Sequence, residues 1–211
     1  MLVDGWFPFI EIIAQFERIA DLYQNPFAFE QRMDAFLACF TPGRIQSIME
    51  RWWGRARLAE RRESIEAGIS AYLQGNQAGY LLCMPRLHAD IDGIMKSQFY
   101  ADTGKDRVRG QQKAWSRHFA DLGVAAGGDE TWLFLARHFQ RYLEESFLAP
   151  FNIETGEIPP SRNSVLHGAL GLEGYTRARA LQAILILDQL CHYLPSADSS
   201  QEAQAPPDSS T

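Results

Sequence analysis

At 211 residues the chain is long enough to bury one substantial core, and nothing in its length requires a second domain. Its composition, 46% hydrophobic, 22% charged and 12% aromatic, is that of a folded globular protein and excludes a disordered or fibrous one. A net charge of −6 excludes a protein that coats nucleic acid through bulk electrostatics, which needs concentrated Lys and Arg, but leaves room for a local basic cleft.

Basic charge is almost all arginine, seventeen Arg against three Lys, and arginine is the side chain suited to bidentate phosphate contact. Cys39, Cys83 and Cys191 are widely separated and form no CxxC pair, so they read as reduced core residues of a cytoplasmic protein. The amino-terminal stretch MLVDGWFPFIEIIAQFERIA has no positive leader region and no apolar run long enough to cross a bilayer, so no export or membrane signal is expected.

Helical periodicity dominates and no run alternates as a strand would, which makes the expected fold all-α. Residues 8–23 place Phe9, Ile12, Ile13, Phe16, Ile19, Ala20 and Tyr23 on one stripe, predicting a core-facing helix. Asn25-Pro26 opens a second helix that runs to about Phe40 and stops at Thr41-Pro42-Gly43. Residues 44–74 read as one long helix or two joined near Gly54. In 77–99, Tyr80, Met84, Leu87, Ile91 and Ile94 have buried-helix spacing, with Pro85 either kinking the helix or marking its start. The polar stretch 101–112 reads as a loop. A helix from about Asp129 to Phe147 follows, with Asp129 or Thr131 as cap and Pro150 as stop. Residues 151–161 form a connecting loop, and the last helix, about Thr176 to Tyr193, is apolar on nearly every side. Such a helix belongs in the middle of a bundle or at a subunit interface. From Pro195 onward the chain has no aliphatic residue larger than alanine and reads as a disordered tail. The organisation expected is one all-α domain over 1–194, with N-terminal helices in 1–75 and a core in 77–194, followed by the tail 195–211.

The most specific stretch is PPSRNSVLHG, residues 159–168. Pro159-Pro160 cannot continue a preceding helix, and Ser161 followed by Arg162 and Asn163 is a capped helix start. On an ideal helix Asn163 and His167 share a face, while Arg162 lies about 140° from His167 and reaches it only if it sits at the cap. A helix start also offers free N–H groups, so an anion near Arg162 would be held by side chain and backbone together. The plainer reading is a capped helix with a satisfied surface histidine.

Arg162-Asn163 followed by three residues and His167, then GLEGYTRARALQAILILDQLCHYL, resembles the motif and last helix of the HEPN superfamily, especially its abortive-infection-related members. The upstream YLLCMPRLHADIDGIM is similar to a core helix of that superfamily, which often carries an acidic residue followed by glycine, here Asp92-Gly93. The pattern is recognisable over about 160–194 and the organisation over 77–194. The resemblance implies an antiparallel helical bundle, here with extra N-terminal helices, and a homodimer whose paired motifs face one cleft. It also implies a metal-independent endoribonuclease in phage defence, toxin–antitoxin systems or RNA control, with RNA as substrate and an antitoxin or defence protein as partner. Arg162, Asn163 and His167 would then be catalytic, with Asp92 auxiliary and no cofactor or metal.

The residues are chemically coherent with that role. RNA carries its own nucleophile in the 2′-OH and needs a base, charge stabilisation at phosphorus and in-line geometry. His167 supplies the base, Arg162 holds the scissile phosphate, and Asn163 orients the histidine or the RNA backbone. Arg177 and Arg179, at the start of the last helix, are candidates for RNA contact if the loop 168–174 folds them back toward His167.

Other patterns have bland readings beside them. His88, Asp90 and Asp92 fall at i, i+2 and i+4 and do not share one helical face, so a metal site is disfavoured. Six arginines interleave with Trp52 and Trp53 between Arg44 and Arg62, which suits either single-stranded RNA or a solvated arginine face over two core tryptophans. The rival to an enzyme is a non-catalytic helical module for dimerisation or protein interaction.

Overall fold

The computed structural model describes residues 5–24, 29–107, 110–127 and 130–196. Among these the fold is all-α, with ten α-helices and no strand, one isolated bridge between Asn152 and Glu157 excepted. No described helix is long and apolar enough to cross a membrane.

The helices are α1 (Phe16–Gln24), α2 (Phe29–Ala38), α3 (Pro42–Glu50), α4 (Ala56–Ala59), α5 (Arg62–Leu73), α6 (Gln77–Thr103), α7 (Gln111–Ala126), α8 (Glu130–Tyr142), α9 (Arg162–Leu166) and α10 (Arg177–Tyr193). Helices α5 and α6 form a tight hairpin, α7 pairs with α8, and α10 packs on α5, α6 and α7. One hydrophobic cluster runs through all of them, from Trp6 to Leu194.

The long α6 is the axis of the bundle. Asn76 caps it, its side chain accepting from Gly79 N at 2.8 Å, and Gly104 ends it at φ +68°. Pro85 lies inside this helix, so it does not mark the helix start. Gly79 is required where it stands: a Cβ there would overlap the Ala71 carbonyl oxygen at the end of α5. The loop expected over 101–112 is shorter, because Gln98 and His118 both meet the Asp102 carboxylate, at 2.9 and 2.7 Å, and tie the last turn of α6 to α7. Helix α7, on which the sequence reading made no assignment beyond residue 112, buries Trp115, Phe119 and Ala120.

The N-terminal region differs most from its expectation. Instead of one helix over 8–23, a 3₁₀ segment (Ile10–Gln15) precedes α1. Ile10 N donates to Gln189 Oε1 of α10 at 3.0 Å, and the rings of Phe7 and Phe9 pack with Phe139 and Tyr142 of α8. Docking on α8 and α10, rather than helix periodicity, sets the backbone here. Ile13 of the expected stripe is accordingly exposed. The start of the second helix at Asn25-Pro26 and the Asp129 cap lie outside the described residues, as does the tail beyond residue 196. Residues 44–74 break twice, at the 3₁₀ turn Trp52–Gly54 and again before Arg62. Helix α8 continues into a single π turn, Leu143–Phe147, ahead of Pro150.

Thirteen of the seventeen residues of α10 are buried, and every one of those side chains is covered by this chain itself. Of the two places expected for so apolar a helix, the described residues put α10 in the middle of the bundle. Its single buried acid, Asp188, accepts from Arg51 at 3.1 Å and from Trp52 Nε1 at 3.0 Å, while Glu11 bridges Arg44 and Arg51 at 3.0 and 2.7 Å. This network fastens Glu11, Arg44, Arg51 and Trp52 to α10. One cysteine expectation is corrected: Cys83 and Cys191 are buried, with burial pushing their thiols up to about 12 and about 11, but Cys39 is exposed.

Candidate functional site

Helix α9 is a single short turn, and its construction explains where its side chains go. Ser161 and Ser164 form a reciprocal capping box: Ser164 N donates to Ser161 Oγ at 3.3 Å, and Ser161 N donates to Ser164 Oγ at 3.1 Å. Ser164 Oγ in turn donates to the Pro159 carbonyl, which fixes the diproline against the helix. The capping box therefore takes up the Ser164 amide at this helix start, and a helix of five residues carries little macrodipole.

Arg162, the first residue of α9, turns toward α6. Its Nη2 lies 2.9 Å from Asp92 Oδ2, and the two side chains are 18% and 19% exposed. Its Nη1 donates to Asn163 Oδ1 at 3.1 Å. Asn163 Nδ2 donates to the carbonyls of Leu148 and Ala149 at 2.9 and 3.2 Å, and its Oδ1 also accepts from Gln112 at 3.3 Å. Asn163 thus joins α9 to α7 and the end of the α8 segment, and presents an oxygen that holds the guanidinium.

His167 caps the C-terminus of α9 and is exposed, its ring 6.0 Å from that of Phe151. Its backbone N–H donates to the Asn163 carbonyl at 3.1 Å, but among the described residues no side-chain hydrogen bond or ion pair joins its ring to Arg162 or Asn163. The two motif ends are roughly 7–8 Å apart along the helix axis at 1.5 Å per residue. Asp92, expected only as an auxiliary group, is the residue the fold brings directly to Arg162.

The other candidates separate. Arg177 lies near the hydroxyls of Tyr72 and Tyr80, where its charge partly offsets the rise that burial gives them. Arg179 donates to Gln182 at 3.4 Å and lines a cavity of about 250 Å³ whose wall includes His88, Pro159 and Pro160. Neither arginine has a hydrogen bond or ion pair to His167 among the described residues.

His88 is the group that sequence reasoning missed. It is one helical turn before Asp92 and on the same face, but the sequence reading weighed it only as part of a disfavoured metal site. It is 4% exposed, packs edge-on to Phe147 at 5.1 Å, and leaves Nδ1 without a partner. Burial, and then the nearby charge of Arg162, pushes its pKa down to about 3, so the ring is neutral at physiological pH.

Of His88, Asp90 and Asp92, Asp90 faces away from the other two, as the spacing indicated. Asp90 is buried against Arg61 (3.3 Å) and the Ser64 hydroxyl, on the side of α6 away from Asp92 and Arg162. The arginine-rich run 44–62 resolves toward its plainer reading. Five of its six arginines pair with carboxylates, Trp52 is fully buried, and Arg62 covers the Trp53 ring at 5.0 Å.

Compared with known proteins, the chain matches no family model, no curated protein and no solved structure.

Proposed function

We propose that the chain is a HEPN-like helical bundle that cleaves RNA without a metal, using Arg162 and His167, with RNA control or cellular defence as its setting. The observation that carries this reading is the Asp92–Arg162–Asn163 cluster: a guanidinium held in place by a carboxylate and an amide, one short helix away from an exposed histidine. A prepositioned cation beside a solvent-reachable base is what transesterification at phosphorus requires.

In this reading neutral His167 takes the proton of the 2′-OH as the 2′ oxygen attacks the adjacent phosphorus. The bond from phosphorus to the 5′ oxygen breaks, leaving a 2′,3′-cyclic phosphate, and the departing oxygen takes a proton from a protonated His167 of a second copy or from water. Arg162 offsets the added charge on the phosphoryl oxygens. Asn163 and Asp92 are positioning residues that act through Arg162. A homodimer would have to form on a face other than α10, because that helix is already covered.

The test is incubation of the purified chain and its His167→Ala variant with end-labelled single-stranded RNA in EDTA, followed by analysis of the fragment ends. Cleavage by the wild type alone, with cyclic-phosphate ends, supports the proposal. Cleavage that vanishes in EDTA and returns with magnesium counts against it. A second reading, a helical module for dimerisation or protein interaction, is favoured by one observation: Arg162 already has its partners inside the chain, and none of them is His167. Silence from wild type and variant alike supports that module instead.

A further inference from the structure

The segment that joins α8 to α9 supplies no reacting group to the chemistry above, yet it passes beside His167 and is fastened there on both sides. Helix α8 leaves through its π turn, where Leu148 N donates to the Leu143 carbonyl at 2.7 Å. The turn takes the carbonyls that follow it out of the helical register. Those of Leu148 and Ala149 accept from Asn163 Nδ2 at 2.9 and 3.2 Å. Just beyond, the chain closes a small loop: Asn152 N donates to the Glu157 carbonyl at 2.8 Å, and Asn152 Oδ1 accepts from the amides of Glu154 and Thr155 at 2.9 and 3.3 Å. Phe151 sits between these two anchors.

Phe151 lies outside the core. It is half-buried, and among the described residues it is not one of the side chains packed on the hydrophobic cluster. Its ring stands 6.0 Å from that of His167 at a tilt of 41°. Ile153, in the loop that follows, is 69% exposed. A large ring left partly in water adds little to folding. Held beside an exposed histidine, it offers a flat apolar surface where a substrate of that histidine has to come.

The chemistry of RNA says which part of the substrate meets this surface. The base and the 2′-OH of one nucleotide are carried on neighbouring ribose carbons. A histidine that takes the 2′-OH proton therefore has the base of the same nucleotide close by, and an aromatic ring next to the histidine is where that base can stack. Unpaired bases are held in this way on aromatic side chains. In a duplex the faces of each base are covered by its neighbours, so a stacking ring selects single strands. Exposed Glu154 and Glu157 repel phosphate, which directs the backbone of the strand toward Arg162 and its base toward Phe151.

We propose that Phe151 stacks the unpaired base of the nucleotide that supplies the 2′-OH, which makes single-stranded RNA the substrate. The choice of nucleotide rests on the ribonuclease reading, whereas the stacking can be measured without cleavage.

The experiment is an anisotropy titration of a short, labelled 2′-fluoro-substituted RNA, which has no 2′-OH to attack, with the full chain and its Phe151→Ala, Phe151→Leu and Phe151→Tyr variants. The same sequence as a duplex is titrated alongside, and cleavage of unmodified RNA is followed in parallel. The expected result is saturable binding of the single strand by the wild type, weakened about tenfold or more by Phe151→Ala and Phe151→Leu and restored to within about threefold by Phe151→Tyr. The duplex should bind more weakly and respond to none of the variants. Leucine keeps apolar bulk without a ring face, so it separates stacking from packing. Circular dichroism establishes which variants remain folded, and Phe151→Leu carries the test should Phe151→Ala unfold. No binding of the single strand, or equal binding by the wild type and a folded Phe151→Leu, overturns the proposal. Binding indifferent to Phe151 with cleavage intact in EDTA would remove the base platform and leave the ribonuclease reading standing. Binding that depends on Phe151 without cleavage would do the reverse.

Discussion

Arg162 Nη2 stands 2.9 Å from Asp92 Oδ2, an ion pair that ties the short motif helix α9 to the middle of the long helix α6. Both groups are largely withdrawn from water, so each depends on the other for its charge to be tolerated. Asp92→Asn should therefore lower stability by about 1–3 kcal/mol, read as a fall in Tm, because it leaves a largely buried guanidinium without its anion. If Arg162 acts on phosphate, the same variant should lower kcat about tenfold or more with little change in KM. A drop in stability with RNA cleavage untouched would make the pair structural only.

His167→Ala should behave in the opposite way. The ring is exposed and its recorded neighbour is Phe151 at 6.0 Å, so its removal should change stability by no more than about 0.5 kcal/mol. Cleavage should be lost. Urea unfolding of the two proteins, run beside the RNA assay, separates loss of chemistry from loss of fold.

Asp188 is the buried acid on which the N-terminal region is hung. Asp188→Ala leaves the Trp52 indole N–H buried without an acceptor and Arg51 with Glu11 alone, at a cost of about 2–4 kcal/mol. Tryptophan emission should shift to the red at a lower denaturant concentration than in the wild type. Unchanged unfolding would mean that the amino-terminal docking contributes little.

The buried His88 gives stability a pH dependence with a definite sign. Its folded pKa is about 3, against an ordinary value of 6.5, so between those values the unfolded chain binds the proton and the folded one does not. The stability conferred by the neutral ring is fully present above pH 6.5 and is lost as pH falls toward 3, by up to roughly 5 kcal/mol. His192, also pushed down chiefly by burial, adds in the same direction. A folded His88→Phe variant should accordingly lose less Tm than the wild type between pH 7 and about pH 4.5. Parallel curves for the two proteins would contradict the burial of a neutral ring.

The sequence by itself determined the all-α class, the position of the last helix, the capped start at Ser161 and the pairing of chemistry-bearing residues in RNSVLH, because each depends on spacing and capping within a few residues. It also marked Asp92 as near the motif, through the resemblance of its helix rather than through any local signal. Only the tertiary structure decided that Arg162 turns to Asp92 rather than to His167, that Asn163 holds the carbonyls of Leu148 and Ala149, and that His88 lines a cavity behind the motif. These outcomes depend on which faces of α6, α7 and α9 meet, and a guanidinium goes to whichever carboxylate the packing presents. The same reason explains the amino terminus. Its periodic stripe predicted a helix, but the hydrogen bond from Ile10 to Gln189 and the aromatic nest of Phe7, Phe9, Phe139 and Tyr142 act across the whole length of the chain, beyond the reach of any local pattern.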